Sequence, residues 1–170
     1  VFIDNYIVRV QANQISAKAR QYAKFAKAMS RTFDKYFFDG TGTAKDFKGI
    51  NALIDEGLGQ KHPVATNGGA LTLALMDEAN DLLRSQSSPD ALLMNRTIRR
   101  KITSLARNTS GYFTLLDVGE DMLGRQVSTY NGVPIRIIGD DKDGSAILDF
   151  DETQGSSDVT SSVYAISYGT

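Results

Sequence analysis

The residue types that most often carry catalysis or bind metals are scarce in this chain. His62 is the single histidine among 170 residues, and cysteine is absent. A protein zinc site draws several ligands from histidine, cysteine and carboxylate side chains at short spacings. A serine nucleophile of the hydrolase type needs a Gly-x-Ser-x-Gly turn, which this sequence lacks. His62 is therefore interpreted as a loop histidine, and no catalytic, cofactor-binding or metal-binding residue is predicted.

One acidic string resembles a fragment of a calcium loop. In Asp141-Lys142-Asp143-Gly144 the glycine sets the register, so the first ligand position falls on Gly139 and the twelfth on Phe150. Neither residue offers the side-chain oxygen that those positions require. The string is interpreted as a turn between strands. A weakly held ion at a subunit contact is the alternative for the acidic residues that follow it, Asp149, Asp151 and Glu152.

Charge is nearly balanced over the chain but is unevenly distributed along it. The net charge is −1, so the whole molecule has no reason to seek polyanions or membranes. Residues 13–38 and 95–107 are basic, whereas residues 139–158 are strongly acidic. The basic region of one copy could therefore meet the acidic region of another, and pairing within one copy is equally open.

The element most clearly encoded is a long helix over residues 13–38. Its length would be about 39 Å, which is near the full width of a compact domain of this size. The segment also carries six basic side chains and one acidic one, and this charged surface is interpreted as solvated or facing another subunit. The apolar residues recur at alternating steps of four and three, which keeps them on one face. They are Ile15, Ala19, Tyr22, Ala26, Met29, Phe33 and Tyr36.

The remaining pattern predicts an α+β fold in which helices flank a mixed sheet. Asn131-Gly132 predicts a hairpin turn, because a type I′ turn requires positive φ at both central residues. Thr72 and Asn95 are predicted helix N-caps. Strands are predicted over residues 1–10, 91–94, 125–130, 133–138, 146–150 and 162–168, helices over 73–85 and 95–107, and loops over 39–70 and 154–162.

Five strings stand in a fixed order over nearly the whole chain. They are KYFFDGTGTAKDFKGI (35–50), LTLALMDEANDLL (71–83), PDALLMNRTIRRKITSLAR (89–107), GRQVSTYNGVPIRIIGDD (124–141) and SSVYAISYG (161–169). Each string is short, but their order and spacing are specific. Together they resemble the major capsid proteins of tailed bacteriophages, whose shell-forming fold is shared with encapsulin compartments.

The resemblance implies a structural subunit without enzymatic activity or cofactor. It assigns residues 1–60, including the spine helix, to a peripheral domain and residues 61–170 to an axial domain. Copies would form pentamers and hexamers of an icosahedral shell around double-stranded DNA, contacted without sequence specificity. The implied location is the virion, assembled in the host bacterial cytoplasm, with no membrane and no small-molecule substrate. Family members also have an N-terminal arm, a complete extended loop and C-terminal return strands, so the sequence is expected to be a fragment.

Contacts between subunits are expected at the polar loops near residues 141–144 and 154–161. The candidate contact residues are charged ones from the basic and acidic segments: Lys18, Lys24, Arg31, Asp141, Asp143, Asp151 and Glu152. Two other functions are retained as alternatives. One is the shell of an encapsulin-like nanocompartment, and the other is a nucleic-acid-binding module that uses the basic face of the long helix.

Overall fold

The computed structural model describes residues 14–43, 46–83, 88–108, 116–120 and 126–168, so the strand predicted over residues 1–10 lies outside the described part. The helices are α1 (Gln14–Asp39), α2 (Ile50–Asp55), α3 (Leu73–Asp81) and α4 (Arg96–Asn108). The strands are β1 (Ala91–Met94), β2 (Leu116–Glu120), β3 (Gln126–Tyr130), β4 (Val133–Ile137), β5 (Glu152–Gln154), β6 (Ser157–Thr160) and β7 (Tyr164–Ile166). None of the described helices is long and apolar enough to cross a membrane.

The chain divides into two compact units. One contains the described residues up to Ala52 together with Asp140–Ser145, and the other contains Leu53–Gly139 together with the residues from Ala146 onward. The segment 140–145, called the acidic loop below, therefore belongs with α1. The assignment of residues 1–60 and 61–170 to peripheral and axial domains stays a prediction.

The first unit is organised around α1, which lies within one residue of the predicted bounds at each end. The helix ends where Gly40 N donates to Tyr36 O at 2.9 Å, and Gly49 N then donates to Gly40 O at 2.8 Å. A Cβ atom on Gly40 would lie 2.0 Å from Phe47 O, and one on Gly49 would lie 2.5 Å from Phe38 O. Both positions require glycine, because the two backbone segments cross without room for a side chain.

Asp46 closes the loop between these glycines. Its carboxylate accepts hydrogen bonds from the backbone nitrogens of Thr41 at 2.8 Å and Thr43 at 2.9 Å, and from both threonine hydroxyls. The bond from the Thr41 backbone, followed by that from the Thr43 hydroxyl, lowers the pKa of Asp46 to about 2. The ring of Phe47 in this loop lies 5.2 Å from that of Phe33, measured between centroids.

The second unit contains a five-stranded mixed sheet in the order β2-β3-β4-β1-β7. β1 pairs parallel with β4 and antiparallel with β7, so Leu92 lies between Ile135 and Ala165. All four residues of β1 are buried, because the strand lies between β4 and β7 and because α3 and α4 contribute to the same apolar core. The core cluster contains Met76, Leu92, Met94, Ile98, Ile102, Tyr130, Val133 and Ile135. This arrangement confirms the predicted α+β class.

The local signals for turns and caps are confirmed. Asn131 and Gly132 have φ values of 50° and 81°, as the turn between β3 and β4 requires. Asn95 Oδ1 accepts from Ile98 N at 2.7 Å, and Thr72 Oγ1 accepts from Leu75 N at 3.3 Å. Each cap satisfies one of the backbone donors that a helix N-terminus leaves without an intrahelical partner.

The strand prediction is wrong in the last quarter of the chain. Residues 146–150 lie outside the described strands, although Ile147 and Leu148 are buried, and Ile147 N donates instead to Gly139 O at 3.2 Å. The predicted loop over 154–162 contains the turn and the second strand of the hairpin β5–β6, where Gly155 turns the chain with a φ of 61°. The predicted strand over 162–168 shortens to β7, and β2 was not predicted.

Candidate subunit interface

One side of α1 carries large apolar side chains that are exposed to solvent. At 100° per residue, four of them fall within an arc of about 80°. They are Tyr22, Phe25, Met29 and Phe33, with exposed fractions of 67%, 54%, 65% and 57%. We call this set the apolar face of α1. Tyr22, Met29 and Phe33 belong to the predicted stripe, and Phe25 lies beside them on the same arc.

The opposite side of α1 contacts the acidic loop. Arg31 Nη1 donates to the carbonyl oxygen of Asp141 at 3.4 Å, and Lys35 Nζ lies 3.4 Å from its carboxylate oxygen Oδ2. The other carboxylate oxygen of Asp141 accepts from Asp143 N at 2.8 Å and Ser145 N at 3.1 Å. Asp141 is only 4% exposed, so these bonds replace the water that its carboxylate loses.

The charge of Asp141 is maintained by its neighbours. Burial on its own raises the pKa of a carboxyl group. The backbone nitrogens of Asp143 and Ser145, together with the ammonium of Lys35, outweigh burial and hold the pKa of Asp141 below its ordinary value. The carboxylate therefore stays ionised and binds α1 to the acidic loop at neutral pH.

This geometry changes the interpretation of the basic side of α1. That side was expected to be solvated or to face another subunit, but Arg31 and Lys35 contact the loop of their own chain. This is the pairing within one copy that the charge distribution left open. Lys18 and Lys24 are exposed.

The acidic candidates occupy different environments. Asp143 has a side chain that is 70% exposed and lies 3.8 Å from Lys142 Nζ. Asp151 is exposed at the start of the β5–β6 region. Glu152 accepts hydrogen bonds from the backbone nitrogen of Ser162 at 3.2 Å and from its hydroxyl. Asp143 and Asp151 are therefore the acidic candidates most accessible to another copy, whereas Glu152 is held within the chain.

Sequence reasoning missed two participants for different reasons. Phe25 lies on the same arc as the predicted stripe, so a helical wheel with a wider arc would have included it. Lys35 pairs with Asp141, which is 106 positions away in the sequence, and no local sequence pattern predicts such a contact. The role of the seven charged candidates between subunits stays a prediction.

The single histidine lies in a loop, as predicted. His62 Nε2 is 3.1 Å from Glu78 Oε2, and both side chains are about half exposed. Within the described ranges, no group of three or more histidine, cysteine, aspartate or glutamate residues could hold a metal ion. The apolar face of α1 and the charged residues around it are the surface features on which a function is argued.

Comparison with known proteins identifies a family. A sequence model described as the phage capsid family matches residues 21–158, which is well over half of the 170 residues. The match includes most of α1, the helices α2 to α4 and the strands up to the β5–β6 hairpin. No curated protein and no solved structure matches the chain.

Proposed function

Because the chain belongs to the phage capsid family, we propose that it is a subunit of an icosahedral shell that encloses double-stranded DNA. The family is structural, and membership makes the chain a component of an oligomeric shell in the virion. We add four further proposals: closed icosahedral geometry, rings of five and six copies, DNA as the contents of the shell, and assembly in the host cytoplasm.

The observation that carries the proposal is the exposed apolar face of α1. A contiguous row of large apolar side chains on a soluble protein marks an interaction surface. Burying one such side chain stabilises a complex by about 1.5–3 kcal/mol, so a helix that exposes four of them favours association with another surface. Assembly into a shell would bury this face, and the six-residue acidic loop lies on the other side of α1 and leaves this face unobstructed.

The exposed charges suggest how copies orient against one another. Lys18 and Lys24 lie on α1, whereas Asp143 and Asp151 lie in acidic segments. We propose that they meet across contacts between copies. Such a contact joins two different surfaces, and contacts of this kind close into rings when the rotation between neighbours permits it. Charges at the rim of an interface mainly set orientation and association rate.

The proposal is tested by the assembly state of the protein. Sedimentation velocity and negative-stain microscopy over a range of protein and salt concentrations are expected to show large closed particles. A protein that stays monomeric at high concentration in every salt would overturn the proposal. The ratio of absorbance at 260 nm to that at 280 nm then separates a shell filled with nucleic acid from a nanocompartment filled with protein.

A further inference from the structure

The helix α4 is strongly basic on its outer side. Its 13 residues include five basic side chains and no acidic one. Ile98, Ile102 and Ala106 are buried in the core, with exposed fractions of 7%, 0% and 8%. Because the apolar side of α4 is fixed against the sheet, its basic side chains are directed to the remaining surface. They are Arg96, Arg99, Arg100, Lys101 and Arg107.

Three of these residues form a straight row. At 100° and 1.5 Å per residue, Arg96, Arg100 and Arg107 fall within an arc of about 40° and extend over about 16 Å along the helix. All three are exposed. We call this row the arginine ridge. The described side-chain bond of Arg100 runs from Nη2 to the hydroxyl of Thr97 at 3.2 Å, and a neutral acceptor leaves the guanidinium charge uncompensated.

A neighbouring arginine, Arg99, is less accessible than the ridge. Its Nε is buried and donates to no acceptor among the described residues. On the helical wheel Arg99 lies about 60° from Arg96, so it borders the ridge. A buried nitrogen does not reach a phosphate group in solvent, so the phosphate contacts are assigned to the three exposed arginines alone.

We propose that the arginine ridge binds the sugar-phosphate backbone of double-stranded DNA without reading its sequence. The planar guanidinium group matches the geometry of phosphate oxygens, and arginine is preferred over lysine where phosphate is recognised. Each DNA strand presents one phosphate per 3.4 Å of helix axis, so a ridge of about 16 Å faces about five phosphates. The proposal rests on the proposed function for the source of the DNA. The binding of phosphate groups is argued from the side chains of α4 alone.

The test compares matched variants of the chain in a binding assay. Fluorescence anisotropy of a labelled 30-bp duplex gives the binding constant between 50 and 200 mM salt. Each phosphate contact contributes about −0.9 to the slope of log K against log salt concentration. The triple variant R96Q/R100Q/R107Q is expected to flatten the slope by about 2.7 and to weaken binding at 50 mM salt at least tenfold. The control K27Q/K61Q/K142Q removes three exposed charges outside α4 and outside the candidate contact set, and is expected to leave the slope unchanged.

Two further measurements separate loss of charge from loss of folding. R96K/R100K/R107K retains the charges and is expected to retain most of the slope. Circular dichroism melting verifies that each variant is folded. If the wild-type chain does not bind DNA at 50 mM salt, or if the control flattens the slope as much as the ridge variant, the inference is overturned.

Assembly measured without DNA separates this inference from the proposed function. A ridge variant that forms normal particles but no longer binds duplex supports the inference. A ridge variant that binds duplex like wild type but forms no particles assigns the ridge to a protein contact, which overturns the inference and leaves the shell function in place. A wild-type chain that binds DNA with the expected slope but never assembles supports the ridge and contradicts the shell.

Discussion

Lys35 Nζ lies 3.4 Å from Asp141 Oδ2, and the two residues are 106 positions apart in the sequence. The lysine side chain is half exposed, whereas that of the aspartate is 6% exposed. The aspartate is therefore the residue whose environment depends on the contact. If the contact with Lys35 is lost, the buried carboxylate of Asp141 keeps its two backbone donors but loses its cationic partner.

We expect Asp141→Asn to destabilise the chain more than Asp143→Asn. The amide of asparagine accepts fewer hydrogen bonds than a carboxylate and carries no charge to attract Lys35. The side chain of Asp143 is 70% exposed, so Asp143→Asn is expected to lower the unfolding free energy by less than about 0.5 kcal/mol. Urea denaturation followed by circular dichroism measures both. Equal midpoints for the two variants would show that the contact between α1 and the acidic loop adds no stability.

Acid is expected to destabilise the first unit through Asp46 and Asp141. Both carboxyl groups have a folded-state pKa below the ordinary value of 3.8. A depressed pKa contributes stability that is fully present above the unfolded-state pKa and is lost as the pH falls through the folded-state pKa. For Asp46 the loss falls between about pH 4 and about pH 2.

Denaturation curves at pH values between 2 and 5 measure this loss. Asp46→Asn is expected to flatten the pH dependence in that window, because an amide does not titrate. Asp55→Asn, at an exposed position, is the control and is expected to leave the pH dependence as it is in the wild type. A variant at Asp46 with the wild-type slope would contradict the prediction.

Two methionines give a matched test of the exposed apolar face. Met94 is 0% exposed in the core, and Met94→Ala is expected to cost about 2–5 kcal/mol of unfolding free energy. Met29 is 65% exposed on α1, and Met29→Ala is expected to change the unfolding free energy by no more than about 0.5 kcal/mol. Chemical denaturation of the unassembled chain measures both. A large loss at Met29 would mean that this face is covered in the folded chain.

The crossing of the two glycine segments after α1 is testable by adding one methyl group. Gly40→Ala places Cβ 2.0 Å from Phe47 O, and overpacking of this kind is expected to cost about 1–3 kcal/mol. Gly139→Ala is the control, because a Cβ atom there meets nothing within 4 Å. Thermal melts compare the two variants. A melting temperature of Gly40→Ala equal to that of the control would show that the backbone segments can separate at little cost.

Charge reversal at Asp151 tests the contact proposed between copies. Asp151→Lys is expected to weaken assembly, because it places a cation where Lys18 or Lys24 of another copy would lie. Asp55→Lys makes the same charge change at an exposed residue outside the candidate set. Sedimentation velocity gives the assembled fraction of each variant. If both variants assemble like the wild type, Asp151 is not part of a contact.

Features that depend on neighbouring residues were predictable from the sequence, and features that join distant segments were not. The bounds of α1 follow from a regular apolar period, and the turn at Asn131-Gly132 follows from two residues that tolerate positive φ. The hairpin β5–β6 was missed because its turn is stabilised by residues that are distant in the sequence. Ser156 N donates to Asn67 Oδ1 at 3.0 Å across 89 residues, and a Cβ atom on Gly155 would lie 2.3 Å from Thr66 O.

The candidate interface shows the same limit. The apolar face of α1 was visible as a stripe, since helical period alone places Tyr22, Met29 and Phe33 together. Which side of α1 is covered was not visible, because the pairing of Lys35 with Asp141 depends on the tertiary fold. A stripe of apolar residues normally indicates the buried side of a helix, and in α1 the basic side is the one in contact.

The distance in sequence between α1 and the acidic loop also has a consequence for synthesis. A ribosome adds about 5–20 residues per second, so the 106 residues between Lys35 and Asp141 take about 5–20 s to make. Until the loop has been translated, the part of α1 that has left the ribosome faces water on both of its sides. Aggregation or capture by chaperones would therefore act on α1 before the native contact can form, and slow translation of the intervening segment would lengthen that exposure.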